Sequence, residues 1–263
     1  MRPFQTLVHG ILIVAKNISW IASSATRAHI HNRFALENNL GDVTGKSGSQ
    51  NTAAGLMGTG MGVIFSTLLG GNTFLMIMCF LPLATLSIYA NYKSNTFVVS
   101  DVLNLQRMEL SFQSSILNGK VLSPNEISER ELFVRKFHSP YKNTILVEPL
   151  LDEICKKMSI CENDLRQIFA DQNRLYYLYI KDGKIALWFH VEAKASDIHQ
   201  GFFHCYYLIE TYGIDTMSMD HIYESQKIVE AKFKDLENQM TLMGWNMQDT
   251  FLACRKRRIE IIK

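Results

Sequence analysis

The sequence predicts a mainly α protein in which a helical, membrane-associated N-terminal part is followed by a small α+β domain with a β-hairpin. No Asp, Glu, Lys or Arg occurs from Ser47 to Tyr92, although charged residues make up 20% of the chain. Further along, Asp182-Gly183 separates two runs of strand-forming residues, which is a strong hairpin signal. We therefore place the helical part at residues 1–119, a connector at 120–144, the α+β domain at 145–247 and a basic tail at 248–263.

The composition narrows the classes of protein to consider. A chain of 263 residues suffices for one large domain or two small ones, and 47% hydrophobic residues exclude intrinsic disorder of the whole. A net charge of +2 gives no indication of a nucleic-acid partner. The five cysteines form no CxxC pair, so we expect neither a metal site nor a disulfide framework, and we favour a reducing compartment.

The uncharged stretch predicts membrane-spanning helices. A turn signal, Gly70-Gly71-Asn72, divides it. The residues from Thr73 to Tyr92 supply the roughly 20 apolar positions that a spanning helix needs, and a membrane helix tolerates Pro82 as a kink. The preceding piece, Ala53 to Leu69, is shorter and richer in glycine. We expect a multi-pass membrane protein with a helical hairpin at 53–92, whose basic flanks both lie on the cytoplasmic side.

A third apolar stretch, Phe4 to Ala25, lies near the N-terminus. We interpret it as a further membrane or interfacial helix. A secretory signal peptide is the alternative, because small residues end the stretch, but Lys16 breaks its apolar region. The basic cluster that follows suits an anion or a lipid headgroup, or simply an interfacial loop; it consists of Arg27, His29, His31 and Arg33.

Small residues recur at every fourth position through the first part of the uncharged stretch. On a helix they form one narrow face, which lets a second helix approach closely, as in small-xxx-small pairs in lipid. The alternative is a glycine-rich loop in a soluble protein. The proposed helix-packing residues are Ala54, Gly58, Gly62, Ser66 and Gly70.

Polar residues just before the uncharged stretch form the candidate functional site. Asp42, Lys46 and Gln50 lie four apart, so a helix places them on one face and Asp42 can pair with Lys46. A charged pair at the mouth of a membrane hairpin is a functional-site candidate, and the alternative is an ion pair that only caps the hairpin. Gly45-Lys46-Ser47 is not a P-loop, because the preceding glycine is one residue too close. The full set is Asn38, Asn39, Asp42, Lys46 and Gln50.

Beyond Asn104 the chain has the charge pattern of water-soluble structure. An amphipathic helix is expected from Leu103 to Leu117, and further helices follow Ser196 and Ile222. Aromatic residues lie on both faces of the hairpin. We expect one face to stay partly exposed and to bind a protein partner. One face is assigned Tyr177, Tyr179 and Phe189, and the other Tyr176 and Trp188.

Four segments make the chain resemble the root UV-B sensitive (RUS) family: SSATRA at 23–28, ENNLGDVTGKSGSQNTAAGLMGTGMG at 37–62, LSIYANYKS at 86–94 and LNGKVLSP at 117–124. The resemblance implies an integral or tightly associated membrane protein of eukaryotes, which in plants is linked to root responses to UV-B and to seedling growth. It implies no established reaction, catalytic residue or cofactor. Family members are larger and have a conserved region before Ala15, so we expect a short or truncated member.

Two hypotheses of function follow. The first is a non-enzymatic membrane component, acting as a scaffold, a signalling partner or a transport-related subunit, with lipid and a family paralogue or another protein as partners. The second is a binder of a small metabolite, or an enzyme, with its site around Asp42 and Lys46. An enzyme needs a convergent set of titrating groups, and the sequence offers this one set alone, which favours the first hypothesis. A soluble bundle with the uncharged stretch as its core is a third interpretation.

The small face gives a first test. Replacing Gly58 or Gly62 with Leu should disrupt helix packing or assembly, because a large side chain prevents close approach. The sedimentation profile and the yield of folded protein measure this effect. If both stay unchanged for both variants, the small face has no packing role.

Overall fold

The computed structural model describes residues 2–35, 39–132, 141, 143–151, 154, 166, 168, 169, 174–252, 258 and 259. The chain divides into two compact units, Met1–Ile88 and Tyr89–Lys263. The described residues are mainly helical, with two small sheets and a β-hairpin, and this part of the predicted fold class is confirmed.

The first unit contains two long helices and the beginning of a third: α1 (Arg2–Phe34), α2 (Leu40–Leu68) and α3 (Thr73–Thr96). The predicted turn separates α2 from α3. Gly70 and Gly71 have φ values of 56° and 77° there, a conformation that favours glycine. The Asn72 side chain then caps α3 by accepting hydrogen bonds from the N–H groups of Phe74 and Leu75, at 3.1 and 3.2 Å.

The apolar side chains of α2 and α3 are exposed. Among the described residues, neither helix has a buried side chain, and Phe80 of α3 is 67% exposed. Helix α3 is the one helix in the described part of the chain that is long and apolar enough to cross a membrane. The predicted multi-pass arrangement is not supported. Glycine, serine and threonine dilute the apolar character of α2, and polar and basic residues interrupt α1.

Two small sheets lie in the second unit. One is a parallel pair of β1 (Val102–Asn104) and β5 (Asn246–Phe251); the other has the order β2 (Ile145–Val147), β4 (Lys184–Phe189), β3 (Tyr176–Lys181). Strand β4 runs parallel to β2 and antiparallel to β3. The hairpin between β3 and β4 turns at Asp182 and Gly183, whose φ values of 50° and 68° are those of a two-residue type I′ turn.

Four helices complete the second unit: α4 (Leu105–Asn118), α5 (Pro124–Arg130), α6 (Ala195–Tyr212) and α7 (Met219–Leu242). The Asn104 side chain caps α4 by accepting a hydrogen bond from the N–H of Arg107 at 2.8 Å, and Gly119 ends it at a φ of 63°. Arg107 also donates from Nε to the carboxylate of Glu131 at 2.9 Å. Both side chains are about nine-tenths buried, so this ion pair fixes the start of α4 against the end of α5.

The main hydrophobic core lies between one face of the hairpin and the helices α4, α6 and α7. The hairpin contributes every second residue of each strand, and α6 contributes one apolar stripe. Phe112 of α4 contacts Phe203 and Tyr206 of α6 edge to face, with ring centroids 5.6 and 6.2 Å apart. These contacts hold α6 between α4 and the sheet.

The second face of the hairpin is also buried, so the expected exposed aromatic face is wrong. Trp188 is 2% exposed and Tyr177 is 1% exposed. Residues from the segment between β2 and β3 cover them, with the Phe169 ring 5.0 Å from the ring of Tyr177. The predicted grouping of side chains is wrong as well. Phe189 pairs with Tyr176 across the hairpin, and directly opposed residues share a face.

Helix α6 approaches the hairpin most closely at Gly201. A Cβ atom added there would lie 2.9 Å from the Phe189 ring, 3.2 Å from Leu187 and 3.3 Å from Tyr176. These distances are too short for an ordinary Cβ contact, so only glycine lets the helix lie this close to the strands.

The Gly201→Ala variant should therefore lower the free energy of unfolding of the second unit by about 1–3 kcal/mol, the usual cost of overpacking a core. Denaturant unfolding, followed by the fluorescence of the buried Trp188 and Trp245, measures this change. Gly58→Ala is the matched control, because an added Cβ there meets nothing within 4 Å. Equal midpoints for Gly201→Ala and the unmodified chain would contradict the close approach.

Candidate functional site

The predicted ion pair of Asp42 and Lys46 is present on α2. Lys46 Nζ lies 2.9 Å from Asp42 Oδ2, and the two side chains are 74% and 59% exposed, respectively. An exposed pair at this helical spacing contributes about 0.3–0.5 kcal/mol in water. The geometry agrees both with a cap and with a functional pair, and the functional role stays a prediction.

The other members of the polar set do not enclose this pair. Asn39 and Gln50 are exposed, and Asn38 lies outside the described residues. The Asn39 carbonyl accepts hydrogen bonds from the N–H groups of Asp42 and Val43, at 3.0 and 3.1 Å, and so starts α2. Asp42, Lys46 and Gln50 therefore form an open face of α2.

The predicted helix-packing residues lie on α2, with one exception. Ala54, Gly58, Gly62 and Ser66 are exposed on the helix, whereas Gly70 lies in the turn after it. A Cβ added at Gly58 or Gly62 meets nothing within 4 Å. Within the described residues no helix packs on this face, and the predicted close helix contact stays a prediction.

One member of the basic cluster connects two helices. His31 Nδ1 of α1 lies 3.4 Å from Thr44 Oγ1 of α2. Arg27 is exposed, and the side chains of His29 and Arg33 are outside the described ones. The described members do not converge on a site.

The second unit contains a polar cavity of about 370 Å³ between β3, α6 and α7. This volume is in the range of small-molecule sites. Arg174, two residues before β3, and both helices supply charged groups, and β3 and the helices supply uncharged polar ones. The polar and charged lining residues are Arg174, Tyr176, Asp197, Gln200, His204, Gln226 and Glu230.

A chain of hydrogen bonds lies at the buried end of this cavity. Tyr176 Oη is 3.1 Å from His204 Nδ1, and His204 Nε2 is 2.8 Å from Ser225 Oγ. Ser225 itself donates to the carbonyl of His221 at 2.6 Å. Its oxygen is then the acceptor for the imidazole N–H, and His204 Nδ1 accepts from Tyr176. With the hydrogens assigned in this direction, every member of the chain has a partner.

Burial keeps this hydrogen-bond chain neutral. Loss of hydration, reinforced by Arg174, lowers the pKa of His204 to about 3. Burial, followed by the influence of Cys205 and Glu230, raises the pKa of Tyr176 well above its usual range. The charge of the cavity at neutral pH therefore comes from one guanidinium and two carboxylates, those of Arg174, Asp197 and Glu230.

The sequence contained part of the signal for this cavity. Asp197, Gln200 and His204 are spaced three and four residues apart, and Gln226 and Glu230 are four apart, so each set lies on one helical face. Arg174 and Tyr176 join the site through tertiary packing, which residue spacing does not show.

His199 is a second buried histidine with a different environment. Its side chain is 0% exposed, and neither ring nitrogen has a hydrogen-bonding partner within the described part of the chain. Burial lowers its pKa to about 4. The described residues contain no group of three or more potential metal ligands, so His199 and His204 have no third ligand there.

The two histidines predict a loss of stability in acid. The unfolded chain binds protons at histidine near pH 6.5, whereas the folded chain binds them only near pH 4 at His199 and pH 3 at His204. Unfolding is therefore favoured increasingly as the pH falls below 6.5. His199→Leu should raise the free energy of unfolding at pH 7 by about 1–3 kcal/mol, because it removes an unsatisfied polar group.

The same variant should also reduce the slope of stability against pH between 6.5 and 4. Denaturant unfolding at several pH values measures both effects, with His190→Gln, at a half-buried position after β4, as the control. A slope as steep in His199→Leu as in the unmodified chain would show that His199 does not carry the effect.

Two family models cover the chain. One, described as "Vitamin B6 photo-protection and homoeostasis domain", matches residues 1–119. The other, described as "Root UVB sensitive protein, C-terminal", matches residues 120–261. The polar set on α2 lies in the first region and the cavity lies in the second.

Comparison with curated proteins identifies relatives in plants and in an amoeba. The chain is 25% identical to Protein root UVB sensitive 3 of Arabidopsis thaliana, over 89% of this chain and 54% of the relative. It is 24% identical to Protein root UVB sensitive 6 of the same plant, over 95% and 53%. It is 36% identical to RUS family member 1 of Dictyostelium discoideum, over 45% and 23%.

The chain thus spans about half the length of the Arabidopsis relatives. No solved structure matches it. The family models and these relatives agree with the segments that first suggested the resemblance. The chain belongs to the root UVB sensitive (RUS) family.

Proposed function

We propose that the chain is a non-enzymatic membrane component that acts in vitamin B6 homoeostasis, with α3 inserted in the bilayer. The observation that carries the membrane part is the exposure of α3. This helix has 24 residues and no acidic residue, and its single basic residue, Lys93, lies in the last turn. In the described chain it buries no side chain.

Lipid accounts for this exposure better than water. Burying one large apolar side chain contributes about 1.5–3 kcal/mol, and soluble monomers rarely expose apolar surface over a whole helix. A helix of this length extends about 36 Å, which exceeds the roughly 30 Å of bilayer hydrocarbon. Pro82 lies inside α3 and is compatible with a membrane helix.

Two further observations support the rest of the proposal. The vitamin B6 part follows from the description of the family model that matches residues 1–119. The non-enzymatic part is favoured by the hydrogen-bond chain of Tyr176, His204 and Ser225, in which every member has a partner within the protein. Scaffold, signalling and transport roles are all compatible with a non-enzymatic protein.

A second candidate function is the binding of a small metabolite. The exposed Asp42–Lys46 pair is a poor site for this role, because it does not remove a ligand from water. The cavity lined by residues of β3, α6 and α7 is more favourable, since it offers volume and converging polar groups.

Alkaline carbonate extraction of membranes that contain the full chain tests the membrane proposal. The unmodified chain should stay in the pellet. Leu81→Arg, in the middle of α3, should shift it toward the supernatant, because an arginine at the bilayer centre costs about 2.5–3.5 kcal/mol. Leu117→Arg is the matched control, since Leu117 is similarly exposed at the end of α4 and should have no effect.

Cysteines introduced at Leu69 and Phe97, on either side of α3, add a test of orientation. If α3 crosses the bilayer, a membrane-impermeant reagent should label each position from a different side. Release of the unmodified chain by carbonate, or labelling of both positions from the same side, would overturn the insertion of α3.

A further inference from the structure

We propose that the cavity of the second unit binds a small organic cation, of the kind represented by an unphosphorylated amine form of vitamin B6, and discriminates against its 5′-phosphate. The inference rests on the vitamin B6 part of the proposed function, whose family model matches residues 1–119. It extends that role to a cavity in the region of residues 120–261 and assigns a site and a charge state to the ligand. The cavity comprises residues of β3, α6 and α7 together with Arg174.

The charges of the cavity select for a cation. Asp197 and Glu230 outnumber Arg174, so the fixed side-chain charge is negative. Arg174 is also engaged, since its guanidinium lies 5.9 Å from the centroid of the Tyr223 ring. A phosphate group would meet two carboxylates and a single cation, whereas a protonated amine or pyridinium would be attracted by both carboxylates.

The uncharged groups suit a hydroxylated aromatic ring. Gln200 and Gln226 supply amides that can donate and accept hydrogen bonds, and Leu175, Leu178 and Ile222 supply apolar surface. At the buried end of the cavity, Tyr176 and His204 are hydrogen-bonded to each other and stay neutral at physiological pH. They therefore add no positive charge that could bind a phosphate. A cavity of about 370 Å³ is large enough for a single-ring ligand.

Glu230 is the residue through which to test this charge selection. It is exposed at the rim, where it accepts a hydrogen bond from Gln226 Nε2 at 3.1 Å. Glu230→Gln keeps the shape of the side chain and removes one negative charge. Asp197 is less suitable, because its carboxylate also accepts a hydrogen bond from the N–H of Lys194 and helps to start α6.

Isothermal titration of the purified full chain with pyridoxamine and with pyridoxamine 5′-phosphate tests the inference. These two probes differ only in the phosphate. Pyridoxamine should bind the unmodified chain more tightly than the phosphate does. Glu230→Gln should weaken pyridoxamine by about two- to fivefold and strengthen the phosphate, as expected for one exposed charge.

Opposite changes for the two probes exclude general damage to the fold, which would weaken both. Glu224→Gln, an exposed residue of the same helix that does not line the cavity, is the matched control and should change neither affinity. Absence of pyridoxamine binding, equal or tighter binding of the phosphate, or equal effects of the two variants would overturn the inference. Equal binding of pyridoxamine by the unmodified chain and by Glu230→Gln would overturn the assignment to this cavity but leave the vitamin B6 proposal standing, so the two can fail separately.

Discussion

The lack of charged side chains between Lys46 and Lys93 is the constraint that sets α2 and α3 apart from the rest of the molecule. The chain has two kinds of apolar surface. In the second unit, large side chains such as Trp188 and Phe202 are buried in the unit's own core. In α3, comparable side chains have no protein to pack against in the described chain, although the helix is capped and regular. Insertion of α3 in lipid would provide the apolar surroundings that the described part of the chain does not supply.

In the second unit, the close approach of α6 to the hairpin connects the core to the cavity. Gly201 allows the helix to lie directly on Tyr176, Leu187 and Phe189. One turn further along α6, His204 is then within hydrogen-bonding distance of Tyr176. The aromatic contacts of Phe112 hold the opposite side of α6. The same packing that stabilises this unit therefore forms the buried end of the candidate ligand site.

Local signals predicted much of this fold. Asp182-Gly183 identified the hairpin, and Gly70-Gly71 marked the break between α2 and α3. The signals that failed were long-range ones. Strands β1 and β5 pair with each other although most of the sequence of the second unit lies between them. Each strand is short, so neither shows a distinct periodicity of apolar residues. The covered face of the hairpin and the cavity depend on which segments meet in space. The single candidate span depends on the balance of polar and apolar residues over each whole helix. The ion pair on α2 was predictable because it is local to one helix.

Hydrogen exchange of the full chain in lipid nanodiscs tests most directly whether lipid takes the place of a protein core around α3. An isolated helix in water opens readily, whereas a helix surrounded by hydrocarbon does not. Helix α6, which is buried in the second unit, provides the internal reference for slow exchange. We expect the amides of the central turns of α3, around Phe80, to exchange as slowly as those of α6. Exchange of these amides as fast as that of exposed turns in the same sample would contradict the insertion of α3.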